Sequence, residues 1–211
     1  MKKFGTLLAA FVLTGCAGNH LDYLRMHNIP PPTPENFIHC YNYGCQKRFL
    51  VALPETTQTR LQKLFTPPSK TEEEERKRIS KAIQIFEQDI GALTGTENDK
   101  FGTFELYLRD DSNTQQFQQD CIDESTNTTI YLTLLYDMGY LEFHRPVNAA
   151  TRQPFLSGGG WWHQTAVIMN EQTGEKYAVD SWFRDNGHPA AVVPLKEWKD
   201  GWRPPKSKEN G

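Results

Sequence analysis

The feature that most constrains the fold is a hairpin signal in the last third of the chain. Two apolar segments, 165–169 and 176–180, flank the turn-forming sequence 170–174. Short apolar runs joined by a glycine-containing connection of this length predict a β-hairpin. His163 lies just before the first strand and Asp180 ends the second, so antiparallel pairing brings both residues to one end of the hairpin. A carboxylate in that place can fix the tautomer and the orientation of an imidazole.

A second element begins at Cys121, where a polar loop turns into a helix that Gly139 is expected to stop. A thiol at a helix N-terminus faces unpaired backbone N–H groups and the positive end of the helix dipole, which favour the thiolate. The sequence therefore predicts Cys121 as a nucleophile, His163 as its base and Asp180 as the residue that orients the base.

Each of these residues also has a purely structural interpretation. Cys121 can be a buried apolar side chain, His163 a hydrogen-bonded histidine at a strand end, and Asp180 a turn cap. His144 and His188 are alternative bases, although the sequence around His188 is typical of a turn. The chain order of the three residues, together with the hairpin geometry, favours the catalytic interpretation.

The chain begins with a targeting signal. A basic start and the apolar run 4–13, which is too short to span a bilayer, lead into Leu13-Thr14-Gly15-Cys16. This sequence resembles the lipobox of bacterial lipoproteins, which implies cleavage before Cys16 and acylation of that cysteine with palmitate or a similar chain. Ala17 stands where the inner-membrane retention signal has aspartate, so we expect a lipid-anchored, periplasm-facing protein of the bacterial outer membrane. An ordinary signal peptide or a buried first helix is the alternative.

These signals divide the chain into three predicted parts. Residues 1–15 are the signal peptide, and residues 16–38 are an acylated N-terminus with a proline-rich tether, which is expected to be extended. Residues 39–211 are long enough for one domain with a core and short for two. The formal net charge of −3 argues against a nucleic-acid partner.

The remaining cysteines support a functional Cys121. Cys40 and Cys45 are close enough for a short-loop disulfide, which an oxidising periplasm favours. A metal site is the alternative, but no second Cys/His pair follows at zinc-ligand spacing. Cys121 is left unpaired, and an unpaired cysteine in that compartment is expected to be buried or used.

Further helices and strands are predicted around the hairpin. Thr71 and Glu74 resemble a capping box, and the apolar spacing after them indicates an amphipathic helix that stops near Gly91. The glycine-rich segment 155–160 is interpreted as a flexible loop, because no helix follows that would complete a phosphate cradle. The other predicted elements are strands over 49–53, 104–108 and 192–194 and helices over 56–65 and 196–202.

The order of cysteine, histidine and aspartate resembles the transglutaminase-like cysteine peptidase superfamily, including its bacterial proteinase branch. The resemblance covers residues 118–187 and rests on Cys121-Ile122-Asp123-Glu124, His163-Gln164-Thr165-Ala166-Val167 and Val179-Asp180-Ser181-Trp182-Phe183. It implies an α+β, papain-like fold in which a central helix packs on an antiparallel sheet. It also implies attack on an amide carbonyl of a protein or peptide, with a thioester that water or an amine resolves.

Other site residues follow from this chemistry. The Cys121 N–H and the side chain of Gln118 or Gln119 are expected to stabilise the oxyanion. The tryptophans expected to wall the cleft are Trp161, Trp162 and Trp182.

Some bacterial members of the superfamily need calcium, for which Asp120 and Asp123 are candidate ligands. The sequence has no calcium loop, however, and predicts no other metal or cofactor. The expected activity is that of a peptidase or amidase, with a transamidase or a catalytically silent binding lipoprotein as alternatives. Substrate and oligomeric state are not defined by the sequence.

Overall fold

The computed structural model describes residues 19–103, 117–153 and 162–205, which form a mixed α+β fold. Strands β1 and β2 form an antiparallel pair, and a second, antiparallel sheet has the order β3-β4-β5-β6. The helices are α1 (His20–Met26), α2 (Glu55–Phe65), α3 (Glu72–Thr94), α4 (Cys121–Asp137) and α5 (Leu195–Lys199), with a 3₁₀ turn at Thr96–Asn98. The strands are β1 (Phe37–Tyr41), β2 (Lys47–Val51), β3 (His144–Arg152), β4 (His163–Asn170), β5 (Lys176–Asp180) and β6 (Ala191–Pro194).

The predicted hairpin is confirmed as β4 and β5, which pair with Ala166 opposite Val179. Its loop is closed by Asn170, whose side-chain oxygen accepts the N–H groups of Gln172 and Thr173. β4 begins at His163 itself and pairs there with Arg152 of β3. The sequence did not predict β3, because its polar residues do not alternate regularly with apolar ones; it lies at the sheet edge, where a proline is tolerated.

Helix α4 packs on this sheet and is buried along most of its length. Asp120 caps it by accepting the N–H groups of Ile122 and Asp123, and Asp123 completes a capping box. The predicted start at Cys121 is confirmed, and Gly139 follows the last turn with a φ of +73°. The apolar half of α4 joins a hydrophobic core to which segments from α1 to β6 contribute.

Helix α3 starts where the sequence predicts, with Thr71 accepting the N–H of Glu74. It does not stop near Gly91 but continues to Thr94, where Gly95 adopts a φ of +83°. Gly91 serves a different purpose, because a Cβ at this position would lie 2.9 Å from Nδ2 of Asn186. The glycine therefore allows a close approach within the helix instead of ending it.

The predicted extended tether over residues 16–38 is wrong for its described part. Residues 20–26 form α1, in which Tyr23 and Leu24 are buried, and Ile29 is also in the core. The sequence predicted an extended tether because polar and proline residues dominate the segment. Its few apolar side chains pack against elements that are distant in the chain, which local composition does not indicate. The folded part of the chain therefore begins at or before Asn19.

Several predictions lie outside the described residues, namely the lipobox with Cys16, the strand over 104–108, the loop over 155–160 and Trp161. Within the part of the chain that the structure describes, no helix has the length and apolar character needed to cross a membrane.

Candidate active site

The hairpin joins His163 to Asp180 by a hydrogen bond. Nε2 of His163 lies 2.8 Å from Oδ2 of Asp180, and both side chains are almost completely buried. The other ring nitrogen, Nδ1, is buried and makes no hydrogen bond to any described residue. When Asp180 is ionised, it accepts a hydrogen bond from the Nε2–H of neutral His163, and the lone pair of the ring then lies on Nδ1. This nitrogen is therefore available to take a proton.

Three aromatic rings surround this imidazole. The ring centroids of Trp182, Phe183 and Trp198 lie 4.6, 5.1 and 5.4 Å from that of His163. Trp182 therefore lies against the base, where a cleft wall is expected. Trp162 is 37% exposed, and its ring does not pack on His163 in the described part of the chain.

Cys121 lies at the first position of α4 and is only 2% exposed. Its own backbone N–H and that of Gln164, the residue that follows His163, both act to lower the pKa of the thiol. The Gln164 side chain donates to Ser125, one turn further along α4, at 2.8 Å. The start of β4 is therefore attached to the start of α4, although no hydrogen bond joins the Cys121 thiol to His163 among the described residues.

The lowered thiol pKa that the helix position predicts is wrong for this resting arrangement. Burial raises the pKa of Cys121 to about 12, and the Asp120 and Asp180 carboxylates act in the same direction. The two N–H groups at the sulfur lower it, but by less. Desolvation and negative charge outweigh the helix terminus, so the resting cysteine is a thiol.

The predicted disulfide between Cys40 and Cys45 is present, and it encloses a turn in which residues 42–45 all have φ between +58° and +66°. Asp123 holds this turn by accepting the N–H groups of Tyr43 and Cys45 at 2.7 and 2.6 Å. The turn is thereby fixed against the capping residues of the helix that carries Cys121.

Asp120 and Asp123, the candidate calcium ligands, are both used as hydrogen-bond acceptors in this arrangement. Asp120 accepts the Gly44 N–H in addition to those of its own helix, and Asp123 accepts three backbone N–H groups. These hydrogen bonds give both carboxylates a structural role in holding the turn and the start of α4. Among residues 19–103, 117–153 and 162–205, no cluster of His, Cys, Asp and Glu is arranged to hold a metal ion.

The structure does not support the oxyanion role predicted for Gln118 and Gln119. The Gln118 amide donates to the carbonyl of Asn98 and accepts the N–H of Lys100. The Gln119 amide donates to the carbonyl of Cys40 at 3.0 Å. Both side chains are buried and tie neighbouring loops to the start of α4, so their amides are used structurally.

Neither alternative base is suited to act on Cys121. His144 is buried, its Nδ1 lies 2.9 Å from Oε1 of Glu75, and it pairs with Asn170 at the far end of β4 from His163. His188 is exposed, and its Nδ1 contacts a backbone carbonyl. Of these three histidines, His163 is the one that precedes Gln164, whose side chain bonds to the first turns of α4.

Three buried carboxyl groups lie behind the site, and no local pattern in the sequence indicates them. Glu124 accepts the hydroxyl of Ser181, the residue after Asp180, and its charge acts on Asp99 and Glu87. Burial raises the pKa of Glu124 to about 7, and burial together with the Glu124 charge raises the pKa values of Asp99 and Glu87 well above their usual range. At neutral pH Asp99 and Glu87 therefore hold protons that exposed carboxyls would lose, and Glu124 is partly protonated.

Tyr23 and Trp198 are the other site residues that sequence reasoning missed. The Tyr23 hydroxyl lies 2.8 Å from Oγ1 of Thr126 and accepts the Gln164 amide at 2.5 Å, so α1 contributes to the first turns of α4. The Trp198 indole donates to Asp180 at 2.6 Å. Both contacts join residues from separate elements, which local patterns do not reveal.

The fold and the site together define an α+β protein with a helix-start cysteine beside a buried histidine–aspartate pair. No protein-family model, no curated protein and no solved structure matches the chain. The inference of function therefore depends on the geometry of the site.

Proposed function

We propose that this chain is a cysteine hydrolase, a peptidase or amidase with a transglutaminase-like, papain-like site, which attacks amide carbonyls through Cys121, His163 and Asp180. The observation that carries the proposal is the His163–Asp180 bond at 2.8 Å, which leaves a buried Nδ1 without a partner among the described residues. A histidine satisfied on one nitrogen and unpaired on the other, near a cysteine at a helix start, has the arrangement of a general base.

The raised pKa of Cys121 defines how the first step proceeds. The sulfur attacks the carbonyl carbon while its proton moves to Nδ1 of His163, so the thiol does not have to ionise beforehand. The carbonyl π electrons move to oxygen, and the resulting oxyanion is stabilised by the backbone N–H groups of Cys121 and Gln164, which in the resting site favour negative charge on the sulfur. Asp180 stabilises the imidazolium that forms.

The second half of the reaction restores the enzyme. The imidazolium gives its proton to the leaving amine as the carbon–nitrogen bond breaks, which leaves a thioester on Cys121. Water then attacks the thioester carbonyl and gives a proton to Nδ1 of His163. The second tetrahedral intermediate collapses, the carbon–sulfur bond breaks, and the Cys121 sulfur takes the proton back from His163. If a primary amine replaces water, the same steps give transamidation.

The direct test is to trap the thioester with a p-nitrophenyl acyl ester. We expect one p-nitrophenol per chain in a rapid burst and an acylated Cys121 peptide in the mass spectrum. Cys121→Ala should abolish both, and Asp180→Asn should slow the burst by about 10³–10⁴-fold, because an amide can hold the wrong imidazole tautomer.

A matched control is Asp22→Asn, which changes an exposed carboxylate on α1 and should leave the burst unchanged. Addition of a primary amine distinguishes the two acceptors, since only a transamidase incorporates it. A burst that persists in Cys121→Ala, or no acylation of the folded wild-type chain, would overturn the proposal.

One observation favours the second candidate, a catalytically silent binding or scaffold lipoprotein. Cys121 is 2% exposed, so a substrate carbonyl reaches the sulfur only if neighbouring groups move. A silent protein would keep this thiol buried and unreactive in the native state and would still bind protein or peptide partners.

We also propose that acylated Cys16 anchors the protein in the outer membrane, facing the periplasm. Because Asn19 caps α1, the chain from Cys16 to this helix spans at most about 11 Å, and on this proposal the folded body lies close to the lipid surface. Metabolic labelling with a palmitate analogue should mark the wild-type chain and not Cys16→Ala, which should also leave the membrane fraction. Labelling of Cys16→Ala would contradict the anchor.

A further inference from the structure

Asp180 is held by two donors, although the proposed mechanism uses only one. The Trp198 indole Nε1 donates to Oδ2 of Asp180 at 2.6 Å, and the same oxygen lies 2.8 Å from Nε2 of His163. Trp198 is completely buried, and its ring is one of the three against the imidazole. A carboxylate with two donors on one oxygen is more restricted in rotation than a carboxylate with one.

The helix that carries Trp198 is too short to fix this side chain by itself. α5 has five residues and no side-chain cap at its start. Its backbone is held instead by Arg152, whose Nη1 donates to the carbonyls of Trp198 and Trp202 at 2.7 and 2.9 Å. The guanidinium carbon also lies 4.6 Å from the centre of a Trp198 ring, which is a cation–π distance.

Arg152 also lies opposite the proposed base, His163. It pairs with His163 across β3 and β4, and it is 5% exposed. Burial lowers the pKa of Arg152, and the charge of Asp180 acts against that lowering, so the guanidinium and the carboxylate compensate each other. The contacts therefore form a closed ring. His163 bonds to Asp180, Asp180 to Trp198 and Trp198 to Arg152, and Arg152 pairs with His163 across β3 and β4.

We propose that Trp198, supported by Arg152, is a positioning residue that fixes the Asp180 carboxylate and thereby the Nε2–H tautomer of His163. The inference deepens the proposed function and rests on it for its catalytic meaning. The tautomer itself is a property of the folded chain that can be measured without a substrate.

The test uses the full chain with ¹⁵N-labelled histidine, at a pH where the imidazole is neutral, and His163→Gln to assign the signal. In the wild type, Nε2 of His163 should carry the proton. Trp198→Phe keeps an aromatic ring but removes the indole N–H, and it should produce a measurable Nδ1–H population. The burst rate with the acyl ester should fall about tenfold, as expected for one hydrogen bond to a charged group.

Arg152→Lys is the second variant, because it keeps the charge but cannot hold two carbonyls and stack at the same time. It should increase the Nδ1–H population of His163 as Trp198→Phe does. If Trp198→Phe does not fold, Arg152→Lys tests the positioning role by itself. Tyr136→Phe, at an exposed position of α4, is the control and should match the wild type.

The two proposals fail in different ways. If Trp198→Phe and Arg152→Lys fold and show the same His163 tautomer and the same burst rate as the wild type, the positioning role is overturned. The hydrolase proposal is unaffected by that result. A wild-type chain that never acylates would overturn the hydrolase, while a tautomer shift in the variants would still support the positioning of His163.

Discussion

The buried carboxyl group of Glu124 gives a quantitative prediction about stability. Glu124 is 4% exposed and accepts the Ser181 hydroxyl. Raising its pKa from 4.5 to about 7 corresponds to about 3 kcal/mol, since each pKa unit is worth about 1.4 kcal/mol. The perturbation that isolates this contribution is Glu124→Gln, because an amide resembles the protonated acid in shape and keeps an oxygen that can accept the Ser181 hydroxyl.

The sign follows from which state binds the proton. Between pH 4.5 and 7 the folded chain keeps a proton on Glu124 that the unfolded chain has lost. The contribution of Glu124 to the free energy of unfolding is therefore fully present below pH 4.5 and is lost as the pH rises through 7. The amide in Glu124→Gln does not titrate, so this loss should be absent from the variant.

Urea denaturation across this pH range measures the difference. We expect the two chains to have similar stability at the acidic end and the variant to become more stable above neutrality, by up to about 3 kcal/mol. Glu55→Gln, at an exposed position in the first turn of α2, is the control, and its free energy of unfolding should depend on pH as that of the wild type does. A difference between Glu124→Gln and the wild type that does not change with pH, or a variant that is less stable above neutrality, would refute the reasoning.

Three further predictions concern the region around α4. Asp123→Asn should lower the free energy of unfolding by about 2–3 kcal/mol in urea denaturation, because the buried carboxylate accepts three backbone N–H groups; no loss would contradict that role. Burial lowers the pKa of His39 to about 3, so the stability that neutral His39 contributes above pH 6.5 should be lost as the pH falls towards 3. His39→Gln should reduce this loss of the free energy of unfolding at acidic pH. An unchanged acid dependence in the variant would contradict the reasoning. Replacing both Cys40 and Cys45 by serine should lower the free energy of unfolding by about 2 kcal/mol, as expected for a short loop, and a stable, unaffected variant would argue against a stabilising disulfide.

Local signals predicted the parts of the site that lie on one hairpin and one helix start. The turn sequence defines the register of β4 and β5, and the register places His163 beside Asp180. The start of α4 was predictable because an aspartate cap and a polar first turn are local features.

Contacts between distant segments were not predictable in this way. Tyr23 reaches α4 from a segment whose proline content indicates a tether, and Trp198 meets Asp180 from a short helix with no periodic pattern. The predicted thiol pKa of Cys121 was wrong for the same reason, since burial and the Asp180 charge come from packing that a single helix does not specify.

The central claim is that His163 activates Cys121, and the most direct measurement is the rate at which iodoacetamide alkylates Cys121 as a function of pH. Mass spectrometry of the Cys121 peptide gives this rate in the wild type and in His163→Ala. Because the resting cysteine is a thiol, the account predicts that alkylation of the native chain below the ordinary thiol pKa of about 8.5 depends on transfer of the proton to His163 as the sulfur attacks. This reaction should therefore be lost in His163→Ala. A native thiol that does not react, or a rate that follows ordinary thiol ionisation equally in both chains, would contradict it.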